Sequence, residues 1–266
     1  MKTALVTGAS AGIGAATAAR LARAGWRVLA GVRAERKAPS GCEEIPLDVT
    51  DAEQVQAAAA RVDALDGLVN NAGIALAAPL ELVPVDELRH QLDVNVVAQV
   101  AVTQAFLPAL RQARGRVVFV GSIAGKSALP FLGPYAASKH ALEAIADSLR
   151  VELAPWGICV SIVEPGTIKT EIWARSAARA DVLAERMGER VVELYGERMA
   201  AFRRFAAKRG AGGAPAEVVA AVVERALTAT RPRTRYLIGR DAHLRAGVER
   251  LPDRLRDSVY ERLLLR

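Results

Sequence analysis

Tyr135 and Lys139 stand four residues apart in a segment of helical period, so their side chains leave one helix face and lie close together. A phenol ordinarily releases its proton near a pKa of roughly 10, too high for efficient exchange at neutral pH. An adjacent ammonium favours the phenolate and lowers that value. The pair therefore reads as an acid/base couple that passes a proton to or from an oxygen changing its charge. Ser122, which closes a Val-rich run 13 residues before Tyr135, places a hydroxyl donor where it can fix that oxygen. Singly, each residue has a plainer reading: a half-buried aromatic, a surface cation, a strand-end cap. Their occurrence together, downstream of a glycine-rich loop, favours the chemical one.

That loop is Gly8-Ala9-Ser10-Ala11-Gly12-Ile13-Gly14, and an alanine-rich helical segment follows it. Glycines at this spacing permit positive φ and bring the backbone close to a pyrophosphate, which then rests on the partial positive charge of the helix N-terminus. A dinucleotide is the expected ligand. Its kind is read from the end of the next apolar run, Leu29-Ala30-Gly31-Val32-Arg33. An acid there would bond the ribose hydroxyls of NAD. Arg33 instead offers a planar fork to a 2′-phosphate, with Arg36 and Lys37 adding positive charge, so NADP(H) is expected.

The elements that must position these residues alternate. Short runs rich in Val, Ile and Leu predict strands at Thr3–Thr7, Trp26–Val32, Glu44–Asp48, Gly67–Asn71, Arg116–Ser122, Ile158–Glu164 and Tyr236–Ile238. Helical period predicts crossovers at Gly12–Ala24, Ala52–Val62, Val85–Gln112, Tyr135–Leu153 and Ala216–Thr230. Strands and helices in this order specify one doubly wound α/β domain with a seven-stranded parallel sheet. Residues 172–210 interrupt the alternation. Leu183, Met187, Val191, Tyr195, Met199 and Phe202 recur at steps of three or four, predicting one or two amphipathic helices and a candidate substrate lid. Residues 240–266 form a helical tail, where Leu244, Val248, Leu251, Leu255, Val259 and Leu263 make one apolar stripe and Pro252 is suited to open the last helix.

Composition narrows the classes. The 266 residues are 52% hydrophobic, enough for one complete core. The net charge of +7 is concentrated late: Arg231–Arg266 holds ten Arg against five acids, interspersed with Leu, Val and Tyr. Such spacing suits an amphipathic surface element, and no basic cluster interleaved with aromatics suggests nucleic acid. Cys42 and Cys159 lack metal-ligand spacing and are expected to be buried spectator thiols. No metal is expected, and His90, His140 and His243 have no matching acid or nucleophile. No run of eighteen uninterrupted apolar residues is present, and the opening MKTALVTGAS reaches its glycine loop too early for a secretory signal. A cytoplasmic location is expected.

With the glycine spacing set, nearly the whole chain resembles the short-chain dehydrogenase/reductase family, whose domain is Rossmann-type. Asp48-Val49 is similar to the family's adenine-side contact, Asn70-Asn71-Ala72-Gly73 to its N-N-A-G motif, and Asn95 to its catalytic asparagine. Ser122, Tyr135 and Lys139 are similar to its reaction centre, and Pro165-Gly166-Thr167-Ile168-Lys169-Thr170 to its P-G motif. The resemblance implies cofactor contacts by Gly8, Ser10, Gly12, Ile13, Gly14, Arg33, Asp48, Val49, Asn71, Ala72, Gly73, Tyr135, Lys139, Pro165, Gly166, Ile168 and Thr170. It also implies that Asn95 kinks its helix and holds a water linking Lys139 to solvent. Hydride transfer between a carbonyl and an alcohol is the implied reaction.

The candidate pocket is apolar: Ile74, Ile123, Leu129, Phe131, Leu132, Ile172 and Trp173, with Ser122, Tyr135, Phe131 and Trp173 as substrate contacts. The run from Val160 to Gly166 and the segment from Arg231 to Tyr236 resemble the hydroxysteroid and retinol dehydrogenase branch, so a lipid-, steroid- or aromatic-like carbonyl or alcohol is expected. An NAD-dependent alcohol dehydrogenase and a non-catalytic dinucleotide sensor are the alternatives. The resemblance further implies a homodimer or homotetramer. The tail is expected to pack over the cleft or a partner subunit, with peripheral membrane contact through its arginines as the alternative.

Overall fold

The computed structural model describes residues 1–33 and 35–264, except the side chains of Trp173, Ala174, Ala177, Ala178, Ala180 and Leu264. The chain runs β1 (Thr3–Thr7), α1 (Gly12–Arg23), β2 (Arg27–Val32), β3 (Glu43–Pro46), α2 (Ala52–Ala59), β4 (Gly67–Asn70), α3 (Val85–Leu92). A π turn (Asp93–Val97) leads into α4 (Ala98–Ala113), then β5 (Arg116–Val120), a 3₁₀ turn (Ile123–Gly125), α5 (Gly133–Glu152), a 3₁₀ turn (Ala154–Trp156) and β6 (Cys159–Pro165). After them come α6 (Ile172–Met187), α7 (Glu189–Ala211), α8 (Ala216–Thr228), β7 (Arg235–Ile238), α9 (Arg240–Val248) and α10 (Asp253–Leu264).

All seven strands are parallel, in the order β3-β2-β1-β4-β5-β6-β7. Alternating side chains along each strand feed two cores. On β5, Val117 and Phe119 join α2, α4 and α5 on one face, and Val118 and Val120 join α1 and α8 on the other. The order reverses between β1 and β4, so the crevice at their carboxyl ends is where a doubly wound sheet receives ligands.

The predicted elements recur with ends shifted by a few residues, and the helix predicted over Val85–Gln112 is divided by the π turn at Asp93–Val97. Asp48, Asn71 and Ser122 fall just beyond their strands, because ladder pairing stops at Val32↔Pro46, Asn70↔Phe119 and Val120↔Val163. The interruption of the pattern is two helices, α6 and α7, joined at Gly188 with φ +69°. Leu183, Val191 and Phe202 of the predicted stripe are buried, and Val182 and Val192 face outward.

Three expectations are corrected. The tail's Leu244, Leu255 and Leu263 are exposed; Tyr260 is the side chain α10 buries, its hydroxyl within 2.8 Å of Ser127 Oγ and bonded to Glu249. Pro252 stands one residue before α10, its carbonyl accepting from Leu255 and Arg256. Cys42 and Cys159 are free thiols, half-buried rather than enclosed.

The continuous helical stretch Val85–Ala113, 29 residues with an 18-residue window of mean hydropathy 1.2, is long and apolar enough to cross a membrane by length and composition alone. Its polar face, however, is engaged within the fold. Gln91, Asn95, Gln99 and Thr103, at steps of four, are all buried and bond residues 70–76 at the sheet's carboxyl edge.

Candidate active site

The glycine loop fits a diphosphate. Gly8 and Gly12 have φ of +64° and +54°. A Cβ on Gly14 would stand 2.3 Å from Gly8 O and 2.4 Å from Asn71 Nδ2, so only glycine lets α1 start this close to β1. The N-cap, Ala11, supplies no side-chain bond and no acid stands in the first turn, which leaves the first N–H groups of α1 available to an anion. Thr170 packs on Gly12: a Cβ there would meet its Cγ2 at 3.1 Å, so the loop after β6 closes on the glycine loop.

Several predicted contact residues serve the frame. Asn71 Nδ2 donates to Thr7 O (2.9 Å) and Gly8 O (3.2 Å), pinning the loop. Thr7 Oγ1 in turn accepts the N–H groups of Asn71 and Ala72, both at 3.0 Å. The carboxylate of Asp48 turns into its own loop, accepting from Thr50 N and Oγ1. Partial burial raises its pKa, but these bonds and the charges of Arg33 and His90 more than offset that and hold it below the usual range. Arg33 is exposed just past β2 and has no ion-pair partner within 4.0 Å among the described residues. The loop after β6 is set by Asp241, whose Oδ2 accepts from Thr167 N and Oγ1, both at 2.8 Å. A Cβ on Gly166 would strike Asp241 Oδ1 at 2.2 Å.

The three residues predicted to be catalytic come together as their spacing predicts. Ser122, Tyr135 and Lys139 are all buried, and Ser122 hydrogen-bonds Tyr135. Ser122 Oγ also accepts from Ala124 N at 3.1 Å, so it caps the 3₁₀ turn as well as facing the phenol. Lys139 Nζ lies 5.8 Å from the centroid of the Tyr135 ring and donates to Val120 O at 2.9 Å.

The electrostatics differ from the expectation. Burial raises the Tyr135 phenol above its ordinary value, and what pulls downward is the Ser122 bond and the charge of Arg245. Lys139 is itself lowered, to about 8, by burial, with Glu143 pulling it upward. Helical spacing brought the two groups together, but desolvation outweighs their attraction.

Asn95 also has a more defined place than predicted. It lies in the π turn, where its Oδ1 accepts from Ile74 N (2.8 Å) and its Nδ2 donates to Ile74 O (2.9 Å) and Ser138 Oγ (3.0 Å). Ser138 Oγ donates to Tyr135 O at 2.7 Å. Asn95 thus reaches the tyrosine through one intermediary and does not bond Lys139.

Above the centre, Ile172 packs beside Tyr135, Ala75 and Ala124. Phe131, with φ +63°, meets Tyr195 and Phe202 edge-on at centroid distances of 6.1 and 5.6 Å. Leu129, Leu132, Phe202 and Tyr260 complete this cluster, which joins α7, α10 and the loop before α5. Trp173 was predicted to touch substrate, and its side chain lies outside the described residues. Sequence reasoning missed Thr7, Asp241, Arg245 and the three residues, Gln91, Gln99 and Thr103, that form one polar row with Asn95. The row left a readable signal, four polar residues at steps of four in an apolar helix; the others act across long separations. Arg245 donates to Ser127 O at 2.9 Å and Oγ at 3.0 Å, 118 residues away.

Residues 2–181 match the short chain dehydrogenase family. The chain is 36% identical over 279 residues to an NADPH-dependent 3-dehydrocapnine reductase of Ornithobacterium rhinotracheale, an alignment covering 98% of this chain and 96% of the relative. It is 39% identical over 261 residues to retinol dehydrogenase 16 of Homo sapiens, covering 91% and 82%. Among solved structures, a short chain dehydrogenase from Burkholderia cenocepacia J2315 in complex with NADP superposes with a TM-score of 0.75 at 28% identity, covering 99% and 100%.

Proposed function

The chain belongs to the short chain dehydrogenase family, and from that membership we propose that it is an NADP(H)-dependent oxidoreductase interconverting a ketone or aldehyde with its alcohol on an apolar, lipid-, steroid- or aromatic-like substrate. The observation that carries this reading is the buried group of Ser122, Tyr135 and Lys139 beside the β1/β4 crevice. Arg33 supports the NADP half, as do the NADPH-dependent relative and the NADP-holding structure. The apolar packing of Ile172, Ala75 and Ala124 around Tyr135, together with the retinol dehydrogenase relative, supports the substrate class.

The bound nicotinamide supplies or accepts the hydride. Tyr135 donates its proton to the substrate oxygen during reduction and takes it back during oxidation. Its raised pKa suits the donor role, since the phenol is fully protonated at neutral pH. Ser122 bonds the same oxygen and fixes its direction. The ammonium of Lys139 lies below the ring and stabilises the phenolate left after transfer. Ile172, packed against Tyr135, helps shield the site from water.

The test is a screen of ketones, aldehydes and hydroxysteroids by NADPH absorbance. Tyr135→Phe is expected to bind NADPH almost normally and lose turnover by about 10²–10⁴-fold; unchanged turnover would overturn the assignment. In parallel, Arg33→Ala is expected to weaken NADPH about tenfold while leaving NADH affinity in place. An unaltered preference removes the argument for NADP.

A further inference from the structure

The two helices after β7 reach back to two loops of the site. Asp241, in the first turn of α9, sets its carboxylate against the loop after β6, where Oδ2 accepts from Thr167 N and Oγ1, both at 2.8 Å. Its seat lies between two glycines. A Cβ on Gly166 would stand 2.2 Å from Asp241 Oδ1, and one on Gly239 2.7 Å from it, so a side chain at either position would displace the carboxylate. The same loop packs on the glycine loop through Thr170 and Gly12, which places it beside the proposed dinucleotide.

Arg245 stands one turn further along α9, so its side chain leaves the same helix face. Its Nη2 donates to Ser127 O at 2.9 Å and Oγ at 3.0 Å, and its Nε donates to Oγ at 3.2 Å. Ser127 is fully buried in the segment that joins Ser122 to Tyr135, and its N–H donates to Ile123 O at 3.0 Å. Tyr260 of α10 meets Ser127 Oγ at 2.8 Å and bonds Glu249. The direction of these bonds is fixed. An ionised carboxylate only accepts, so Tyr260 gives its proton to Glu249 and Ser127 gives its own to Tyr260, which leaves Ser127 Oγ as the acceptor for Arg245.

We propose that α9 is a clamp between these two loops, with Asp241 and Arg245 as positioning residues that set the cofactor side of the site against Ser122 and Tyr135. One helical turn holds the two anchors about 6 Å apart along the axis, a rigid spacer between segments that have no regular structure of their own. Nearer the sheet, Lys126 pairs with Glu164 at 2.6 Å and joins the same two segments, so α9 is the outer of two ties. The inference rests on the assignment of the glycine loop to NADPH and of Ser122 and Tyr135 to the proton transfer.

Asp241→Ala and Arg245→Ala each cut one end of the clamp, and the double variant cuts both. Amide hydrogen exchange in the cofactor-free protein reads the loops without turnover. Whichever end is cut, exchange is expected to quicken in both segments, 123–132 and 166–170, while β1, β4 and β5 keep their protection. For carbonyl reduction, kcat is expected to fall about tenfold in either single variant. The double variant is expected to fall no further than the worse single one, since a clamp cut at one end holds nothing at the other. Ser127→Ala, which removes only the Oγ, is a milder cut of the Arg245 end and carries the test if Arg245→Ala does not fold. Exchange that quickens in both segments, with losses in kcat that do not multiply, supports the proposal. Exchange that quickens in both with kcat unchanged also supports the clamp, and faults the reaction assigned to Ser122 and Tyr135 instead. Exchange confined to the loop beside the substitution, or spread evenly over the sheet, overturns it, as do losses in kcat that multiply.

Discussion

At the carboxyl edge of the sheet, Asn71, Asn95, Ser138 and Lys139 are held by hydrogen bonds of 2.7–3.2 Å. The helical cover above it, α6 and α7, touches the body through Leu183, Val191 and Phe202 and through partly exposed ion pairs: Arg179 with Glu87, and Arg186 with Asp86 and Glu87. The edge is over-determined, because a buried polar group that loses its partner costs about 1–3 kcal/mol, and each group here serves another. The cover rests on contacts that are individually weak and screened by salt. The edge is therefore held more tightly than the cover is held to it.

The largest expected effect comes from disturbing the edge with one methyl group. In Gly14→Ala the new Cβ would lie 2.3 Å from a backbone oxygen and 2.4 Å from Asn71 Nδ2. Neither neighbour can yield without releasing the glycine loop from β4. NADPH affinity, followed by cofactor fluorescence, is expected to fall at least about a hundredfold, with a lower melting temperature. If the variant binds NADPH normally, the edge is more compliant than its bonds imply and the contrast with the cover fails.

Legibility in the sequence follows the same division. Strand alternation, the glycine loop and the Tyr135–Lys139 step are local patterns, so periodicity reports them directly. The support for those residues is not local. Asp241 reaches Thr167 across 74 residues and Tyr260 reaches Ser127 across 133, and single residues at such separations carry no period. The tail shows the cost of relying on periodicity. Leu244, Leu255 and Leu263 scan as a buried stripe, yet Tyr260 is buried instead because its hydroxyl finds Ser127 and Glu249. The sign of the Tyr135 shift was equally out of reach, since spacing reports proximity and only the fold reports how far both groups are desolvated.

In the cover, Phe202→Ala removes the buried one of the two α7 rings that meet Phe131, leaving Tyr195. Deleting a buried phenylalanine costs about 3 kcal/mol in a tight core, and here the loss falls on one docked element. Amide hydrogen exchange in α7 and α10 is expected to quicken while β1, β4 and β5 keep their protection. For an apolar substrate, KM is expected to rise several-fold with kcat changed little. A fall in kcat with KM unaltered would mean that the cover helps set the reaction geometry.

The smallest effect belongs to Arg186→Ala, which removes the pairs with Asp86 at 2.8 Å and Glu87 at 2.7 Å. Glu87 keeps Arg179, so its carboxylate is not stranded. The change in KM is expected to be less than about threefold at low ionic strength. It should vanish near 1 M salt, where the screening length shrinks to about 3 Å. Phe202→Ala, acting through apolar burial, should keep its effect in the same salt. Measuring both variants across ionic strength separates the two forces holding the cover: salt-insensitive loss in Arg186→Ala would show that its aliphatic stem, rather than its charge, carries the contact.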